Sequence, residues 1–300
     1  MNLDYRKLCG YLENPKVVIE KSEDDFSARI IGICKEFISN ISHSRIVFLS
    51  GPSASAKTST SNRLVKCLEA FGISAHVISL DNYFKDGNII DANNINIESP
   101  DCIDIQLLHE HIRALTSHEK VNLPTYNFST RIKTFSNEST SLQKDEIVIF
   151  EGIHALNDII SNELPENTKK IYVRVKSQLY DGENLYLSRN RLRLLRRLIR
   201  DLNFRYADFE TTFNIWDNVR GSEYEYIVPY RDKADIEIDT FLPYEVSVMK
   251  SNVFDIIKNT EFTSVRAKQL ADDFLVLLKP FPLIPNSLVP NNSILKEFIK

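Results

Sequence analysis

One short segment of this chain combines the residue types that bind nucleotide phosphates. An apolar run at 46–49 leads into Gly51, and Lys57 and Thr58 follow at the spacing of the phosphate-loop pattern G-x-x-x-x-G-K-[ST]. Ala56 stands where that pattern has its second glycine. Successive backbone N–H groups of such a loop, at the N-terminus of a helix, wrap a phosphate. The segment therefore predicts binding of a nucleoside triphosphate.

Each residue of the loop has an expected role. Lys57 would reach the β- and γ-phosphates, and the Thr58 hydroxyl would coordinate Mg²⁺ between them. Alanine at 56 restricts the backbone without forbidding a right-handed conformation, so we expect weakened binding. An ordinary serine-rich turn is the alternative interpretation. The predicted binding residues for ATP or GTP are Gly51, Pro52, Ser53, Ala54, Ser55, Ala56, Lys57, Thr58 and Ser59.

Two acids follow apolar strands that we expect beside this loop. Asp81 ends the strand-like run 75–80, and Glu151 ends the run 147–150. Because ligands bind at the carboxyl ends of parallel strands, Asp81 could accept the proton of an attacking hydroxyl. Glu151 could hold the metal or orient its shell. The alternatives are a simple Asp-Asn turn at Asp81 and an ordinary strand-end acid at Glu151.

A basic amphipathic helix lies further along the chain. Leu192, Leu195 and Ile199 give it an apolar face. A solvated face, a nucleic-acid surface and a catalytic lid are the three interpretations, and lid arginines would neutralise the charge on a transferring phosphoryl group. The arginines concerned are Arg189, Arg191, Arg193, Arg196, Arg197, Arg200 and Arg205.

Composition restricts the class of protein. The 300 residues are 43% hydrophobic, enough for one substantial core, and the net charge of −4 argues against a nucleic-acid-binding protein. The four cysteines form no C-x-x-C pair, so we expect a reducing compartment, no zinc site and mainly buried thiols. No apolar signal core or spanning segment is evident, which predicts a cytoplasmic protein with no membrane partner.

Short apolar runs alternate with helical patterns, which predicts a doubly wound α/β fold with a mostly parallel five-stranded sheet. The core strands are expected at 45–50, 75–80, 146–150, 170–175 and 234–238, and helices at 58–71 and 105–115. Residues 1–44 would form an N-terminal extension with a strand at 17–20 and a helix near 24–41. A kinase-like domain would span 45–250 with a helical lid at about 186–232, and 251–300 would be a helical C-terminal tail packed on it.

Several motifs in order extend this interpretation. The segments GPSASAKTST, ISLDNYF, SPDCIDI, PTYNFSTR, IVIFEGIHALN, RLLRRLIRDLNFR and WDNVRGSEYEYIVPYRDKAD together resemble the uridine kinase branch of the phosphoribulokinase/uridine kinase family. The resemblance covers roughly residues 45 to 250. It implies a P-loop kinase fold, ATP or GTP with Mg²⁺ as cofactors, and a small-molecule nucleoside as substrate. It leaves a homo-oligomer open.

The resemblance also implies roles for single residues. Asp81 matches the acid that acts on the nucleoside 5′-hydroxyl, and Glu151 matches the metal-associated acid. Arg197 and Arg200 match catalytic lid arginines, although Tyr206 and Ala207 follow Arg205 where the family has a further arginine. In the substrate site Ser99 replaces a histidine and Asn127 replaces an aspartate. The substrate-binding residues implied are Asp81, Tyr83, Asp101, Tyr126, Phe128 and Arg205.

Other residues are weaker candidates. His109 and His111 could suggest a metal pair, but we expect them on a solvent-facing side of a helix. His154 could approach the substrate or be structural, and Trp216 is expected to pack against the lid helices rather than stack on a base.

The motifs together favour transfer of the γ-phosphoryl group of a nucleoside triphosphate to the 5′-hydroxyl of uridine or cytidine. Lys57 would stabilise the transferred group and Asp81 would serve as base or orienter. Two alternatives stay open: a kinase for another small alcohol, such as a sugar phosphate or a pantothenate-like compound, and a catalytically impaired nucleotide-binding regulatory protein.

Overall fold

The computed structural model describes residues 2–39, 45–165 and 167–300. Strands and helices are numbered in chain order. The strands are β1 (Asn2–Asp4), β2 (Ile46–Ser50), β3 (Ala75–Ser79), β4 (Pro124–Asn127), β5 (Ile132–Phe135), β6 (Ile147–Glu151), β7 (Lys169–Arg174), β8 (Gln178–Asp181), β9 (Asn184–Leu187) and β10 (Ile236–Asp239). The α-helices are α1 (Tyr5–Tyr11), α2 (Pro15–Ser39), α3 (Lys57–Ala70), α4 (Gly87–Ala92), α5 (Ile105–Thr116), α6 (Asp158–Ser161), α7 (Arg189–Phe204), α8 (Phe209–Tyr226), α9 (Glu245–Asn259) and α10 (Val265–Leu278).

The main sheet has five parallel strands in the order β10-β7-β2-β6-β3. Every residue of β2 and β6 is buried, as expected for central strands that are covered on both faces. The predicted α/β fold with a parallel five-stranded sheet is confirmed. Because β2 lies between β6 and β7, the phosphate loop emerges at the middle of the carboxyl edge, where crevices form in such sheets.

Strand register brings the ends of neighbouring strands level with each other. Glu151, the last residue of β6, pairs with Leu49 of β2 on one side and with Ser79 of β3 on the other. Asp81 follows β3 in a short 3₁₀-helix, Leu80–Tyr83. The loop, Glu151 and Asp81 therefore share one edge of the sheet.

Apolar side chains cover both faces of the sheet. One cluster includes Leu64 of α3, Leu195 of α7 and Val248 of α9. The other includes Leu108 of α5 and Phe150 of β6. The first cluster also takes in α2 and the segments after α10, so both ends of the chain pack on the same core as the nucleotide-binding strands. The expected boundary between 250 and 251 falls inside α9.

The N-terminal prediction was partly wrong. The strand expected at 17–20 is helical, because those residues lie near the start of the 25-residue α2. The apolar run at 17–19 suggested a strand, but Ile19, Phe26 and Ile30 recur at helical spacing and are buried. The described part of the helix runs to Ser39, and the predicted end at Ile41 lies outside the described residues.

Two smaller sheets lie beside the main one. β4 and β5 form an antiparallel hairpin near the carboxyl edge, and β1, β8 and β9 form a three-stranded sheet. Within the described ranges, no helix is both long enough and apolar enough to cross a membrane.

Candidate active site

The phosphate loop depends on close backbone packing. A Cβ atom at Gly51 would lie 2.0 Å from the carbonyl oxygen of Val173 in β7, so only glycine fits where the loop leaves the sheet. Ala54 and Ala56 are buried and have positive φ angles of 57° and 68°. The expectation that Ala56 would take a right-handed conformation was therefore wrong. The loop requires a left-handed residue there, and alanine adopts that conformation at a cost of about 1–2 kcal/mol.

Lys57, Thr58 and Glu151 meet at the start of α3. The Thr58 hydroxyl donates to Glu151 Oε1 at 3.4 Å, and Lys57 Nζ donates to the Pro52 carbonyl oxygen at 3.3 Å. Burial raises the pKa of Glu151 to about 7, with Lys57 opposing the shift. A hydroxyl beside a carboxylate is an oxygen-donor pair of the kind that Mg²⁺ prefers, so these two residues fit a divalent metal.

Asp81 is held beside this group by the turn after β3. A Cβ atom at Gly152 would approach the Leu80 Cβ to 2.7 Å, so the glycine allows the end of β6 to lie against that turn. The Asp81 side chain is open to water in a cleft walled by protein. The surrounding protein raises the pKa of Asp81, while the positive charges of Lys57, Arg205 and Arg200 lower it. The structure thus brings these cations to the predicted base.

Three arginines of the predicted lid share one buried acid. Asp201 pairs with Arg197 at 3.1 Å, with Arg200 at 2.8 Å and with Arg205 at 3.7 Å. Arg197 also donates to the Ser53 hydroxyl of the loop at 2.8 Å. Three guanidinium groups around one carboxylate leave a surplus of positive charge beside the loop, as transfer of a phosphoryl group requires.

Two further arginines of α7 fix the shape of the loop. Arg193 donates to the Ser53 carbonyl oxygen at 2.9 Å and pairs with Glu223, which itself accepts from the Ser53 N–H at 3.1 Å. Arg196 makes a two-pronged contact with Glu245 at 2.7 and 2.9 Å. Both arginines are buried, so a merely solvated face does not describe this helix. The sequence did not single out Glu223 or Glu245, because an acid in an amphipathic helix is an ordinary surface pattern.

The acceptor side of the cleft contains Asp101 and an aromatic cluster. Asp101 is exposed, and the Ser99 hydroxyl donates to it at 2.9 Å. Phe84, Tyr126 and Phe128 pack together with ring centroids 4.9 to 5.5 Å apart, and the Phe128 side chain is 55% exposed. Phe84 and Tyr126 are buried, so Phe128 is the ring of this cluster that is open to solvent.

Tyr83 is not brought to the cleft. Its side chain is fully buried, and its hydroxyl lies 3.0 Å from His111 Nδ1. The structure therefore corrects its expected place in the sugar site. The solvent-facing placement of His109 and His111 was also wrong: both are buried, and His109 Nε2 lies 3.0 Å from the Ile160 carbonyl oxygen. In the described part of the chain, no three His, Cys, Asp or Glu side chains are grouped to hold a metal ion.

The structure identifies two further ionisable residues near the candidate site, His154 and Glu98. His154 is 2% exposed, and its ring lies beside the backbone of Glu98 and Tyr226. Burial lowers the pKa of His154 to about 4, so the ring is neutral near pH 7. Glu98, which the sequence did not indicate, lies near Arg197, and burial raises the pKa of its carboxyl. Trp216 packs under the Arg193 guanidinium at 5.5 Å, which confirms its expected packing role.

The sequence of this chain is similar to those of known kinases. The model of the phosphoribulokinase/uridine kinase family matches residues 46–247. A uridine kinase of Staphylococcus haemolyticus is 30% identical over 202 residues, covering 66% of this chain and 88% of the relative. A uridine kinase of Staphylococcus epidermidis is 30% identical over 197 residues, covering 64% and 86%.

A solved structure has a similar fold. It comes from Silicibacter sp. TM1040, is described as a proposed fructose transport system kinase, and superposes with a TM-score of 0.51 at 17% identity over 70% of this chain and 98% of that one. The family match spans the loop, Asp81, Glu151 and the arginines of α7. The chain therefore belongs to the phosphoribulokinase/uridine kinase family and is a P-loop kinase, a phosphotransferase that binds a nucleotide.

Proposed function

We propose that this kinase transfers the γ-phosphoryl group of ATP or GTP to the 5′-hydroxyl of a pyrimidine nucleoside, with uridine as the main acceptor and cytidine as a second. The observation that carries the proposal is the position of Asp81, which opens into the cleft under the influence of Lys57, Arg200 and Arg205. Relatives named uridine kinase, 30% identical to this chain, support the choice of acceptor.

The donor half of the site binds the triphosphate. The loop amides would hold the β-phosphate, and Lys57 would reach between the β- and γ-phosphates. Thr58 and Glu151 would hold Mg²⁺, which neutralises phosphate charge when it is bound. Arg193 and Glu223 keep the loop in its binding shape through the Ser53 backbone.

The acceptor half positions and activates the hydroxyl. Asp81 would accept its proton or orient it in line with the phosphoryl group. Arg197 and Arg200 would neutralise the charge on the transferring group, and the closed cleft would exclude water as a competing acceptor. Asp101 would bind ribose hydroxyls, and the exposed ring of Phe128 would border the base.

A second acceptor class is favoured by one observation. The Asn127 Oδ1 accepts from the backbone N–H groups of Ser129 and Thr130 at 2.9 and 3.1 Å, so this side chain serves a local turn. With Asn127 engaged there and Tyr83 buried, fewer polar groups remain to recognise a pyrimidine nucleoside. A kinase for another small alcohol, such as a sugar phosphate or a pantothenate-like compound, is therefore the alternative.

A substrate panel tests the proposal. ADP release from Mg·ATP would be measured with uridine, cytidine, other nucleosides, pantothenate and ribulose 5-phosphate. Asp81→Asn should reduce turnover by about 10²-fold or more while ATP affinity stays near that of the wild type. Asp145→Asn is the matched control, since Asp145 is exposed and precedes β6 at the opposite edge of the sheet. Turnover only with a non-nucleoside acceptor, or a near-normal rate in Asp81→Asn, would contradict the proposal.

A further inference from the structure

The C-terminal segment after α10 reaches the phosphate loop. It ends in a 3₁₀-helix, Ile294–Glu297, which packs against α3. The Glu297 Oε2 accepts a hydrogen bond from the Ser59 N–H at 2.9 Å, a contact between residues 238 positions apart. No role in the phosphoryl transfer described above requires this carboxylate.

The first turn of α3 explains why a carboxylate is attracted there. The Thr60 N–H makes the first hydrogen bond of the helix, to Ala56, so the N–H groups of Lys57, Thr58 and Ser59 have no partner inside it. Ala56 occupies the N-cap position and has no side chain that could accept from them. These N–H groups, with the positive end of the helix dipole, form the anion site that a nucleotide phosphate uses.

Glu297 also takes part in the charge balance of the donor site. Burial lowers the pKa of Lys57, while Glu151, Glu297 and Asp81 oppose that shift. Glu297 contributes, after Asp81, to raising the pKa of Glu151. Three acidic side chains, Glu151, Glu297 and Asp81, therefore lie within electrostatic reach of Lys57, together with the guanidinium of Arg200.

The backbone around Glu297 is firmly held, but its side chain is not enclosed. Leu295 and Phe298 are fully buried, Phe298 lies 5.3 Å under the Arg196 guanidinium, and Asn203 donates to the Phe298 carbonyl oxygen at 3.0 Å. Glu297 itself is only half-buried. Its carboxylate can therefore rotate towards water while the segment stays in place.

We propose that Glu297 is a determinant of nucleotide affinity: its carboxylate occupies the Ser59 N–H in the free enzyme and is displaced when the α- or β-phosphate of the donor binds there. The proposal rests on the donor site of the proposed function. It makes the C-terminal segment part of that site and assigns Glu297 the role of an internal competitor for phosphate.

Calorimetric titration of the full chain at fixed free Mg²⁺ tests the proposal with three probes: ATP, inorganic tripolyphosphate and adenosine. Glu297→Gln keeps the shape and an acceptor oxygen but removes the charge. It should bind both ATP and tripolyphosphate about 5- to 30-fold more tightly than the wild type. Adenosine affinity should not change. Glu261→Gln, an exposed carboxylate between α9 and α10, is the matched control and should behave as the wild type.

Four other outcomes either overturn the proposal or separate it from the proposed function. Unchanged ATP affinity with a lower melting temperature would make Glu297 only a helix cap. Weaker ATP binding with unchanged tripolyphosphate binding would place the carboxylate at the ribose or base. Absence of nucleotide binding in every variant would refute this proposal and the donor site together. Tighter ATP binding in Glu297→Gln without turnover of any nucleoside would uphold this role and refute only the acceptor.

Discussion

Ala56 is the departure from the phosphate-loop pattern, and the structure allows its effect to be worked out. Its φ of 68° lies in the left-handed region, and its side chain is fully buried. Replacement by glycine should relieve about 1–2 kcal/mol of backbone strain. It removes a buried methyl group worth about 0.8 kcal/mol. It also adds about 0.4–1 kcal/mol of conformational freedom to the unfolded chain.

These effects nearly cancel. Ala56→Gly should change the free energy of unfolding by less than about 1 kcal/mol, a shift in melting temperature of at most about 4 °C. We expect the loop to keep this left-handed conformation when nucleotide binds, so the strain should be the same with and without the ligand. The Kd for ATP should therefore change by less than about threefold, which corresponds to about 0.7 kcal/mol. Thermal unfolding and calorimetric ATP titration measure both quantities.

Ala56→Val provides the contrast. A β-branched residue is a strong outlier at positive φ, and the position has no free space. We expect the valine variant to lose about 2 kcal/mol of stability or more, with ATP binding weakened more than about tenfold. A gain of more than about tenfold in ATP affinity for Ala56→Gly would refute the reasoning, because it would mean that alanine keeps the free loop out of its binding shape.

Two further predictions concern Glu151 and Tyr83. Since the pKa of Glu151 is raised to about 7, its carboxyl is mostly protonated at pH 6 and mostly ionised at pH 8. The Mg²⁺ concentration for half-maximal activity should therefore rise about tenfold from pH 8 to pH 6. The terminal phosphate of ATP titrates nearby, so the slope is compared with that of Glu151→Gln, and equal slopes would exclude Glu151 as the titrating metal ligand. Tyr83→Phe removes the hydrogen bond to His111 and should lower stability by about 0.5–1.5 kcal/mol without changing the KM for the acceptor. A raised KM at unchanged stability would return Tyr83 to the sugar site.

The sequence alone predicted those parts of the fold and of the site that depend on short local patterns. Ser50 and Glu151 at strand ends, and Asp81 just after β3, could be placed at one edge because parallel strands align their carboxyl ends. Fully buried strands read as continuous apolar runs, so the central strands β2 and β6 were predictable to within a residue. The strand prediction at 17–20 was wrong because it gave three consecutive β-branched residues, Val17, Val18 and Ile19, more weight than the longer helical period.

The burial of His109, His111 and Tyr83 could not be predicted from the residues next to them in the sequence. On α5, His111 lies on the face that meets the turn after β3, and that meeting depends on how α5 packs across the sheet. A polar side chain on an apolar helix face either makes a buried hydrogen bond or serves as a functional group. Which of the two applies depends on the hydrogen-bond partner. For His111 that partner is Tyr83, 28 residues earlier in the sequence.

The arginines of α7 show why helix periodicity alone gave an incomplete account of the site. Two adjacent residues of this helix both contact the loop but have different acids as partners: Arg196 donates to the Ala54 carbonyl oxygen at 3.4 Å and Arg197 to the Ser53 hydroxyl at 2.8 Å. Arg196 is neutralised by Glu245 from α9, whereas Arg197 shares Asp201 with two other arginines and keeps a donor on the Ser53 hydroxyl. The positive charge left free on α7 therefore depends on Asp201 of the same helix and on Glu223 and Glu245, which α8 and α9 supply. A count of arginines in the sequence gives the total positive charge of the helix, but the pairing with Asp201 and the packing of α7 against α8 and α9 determine how much of it is left unpaired.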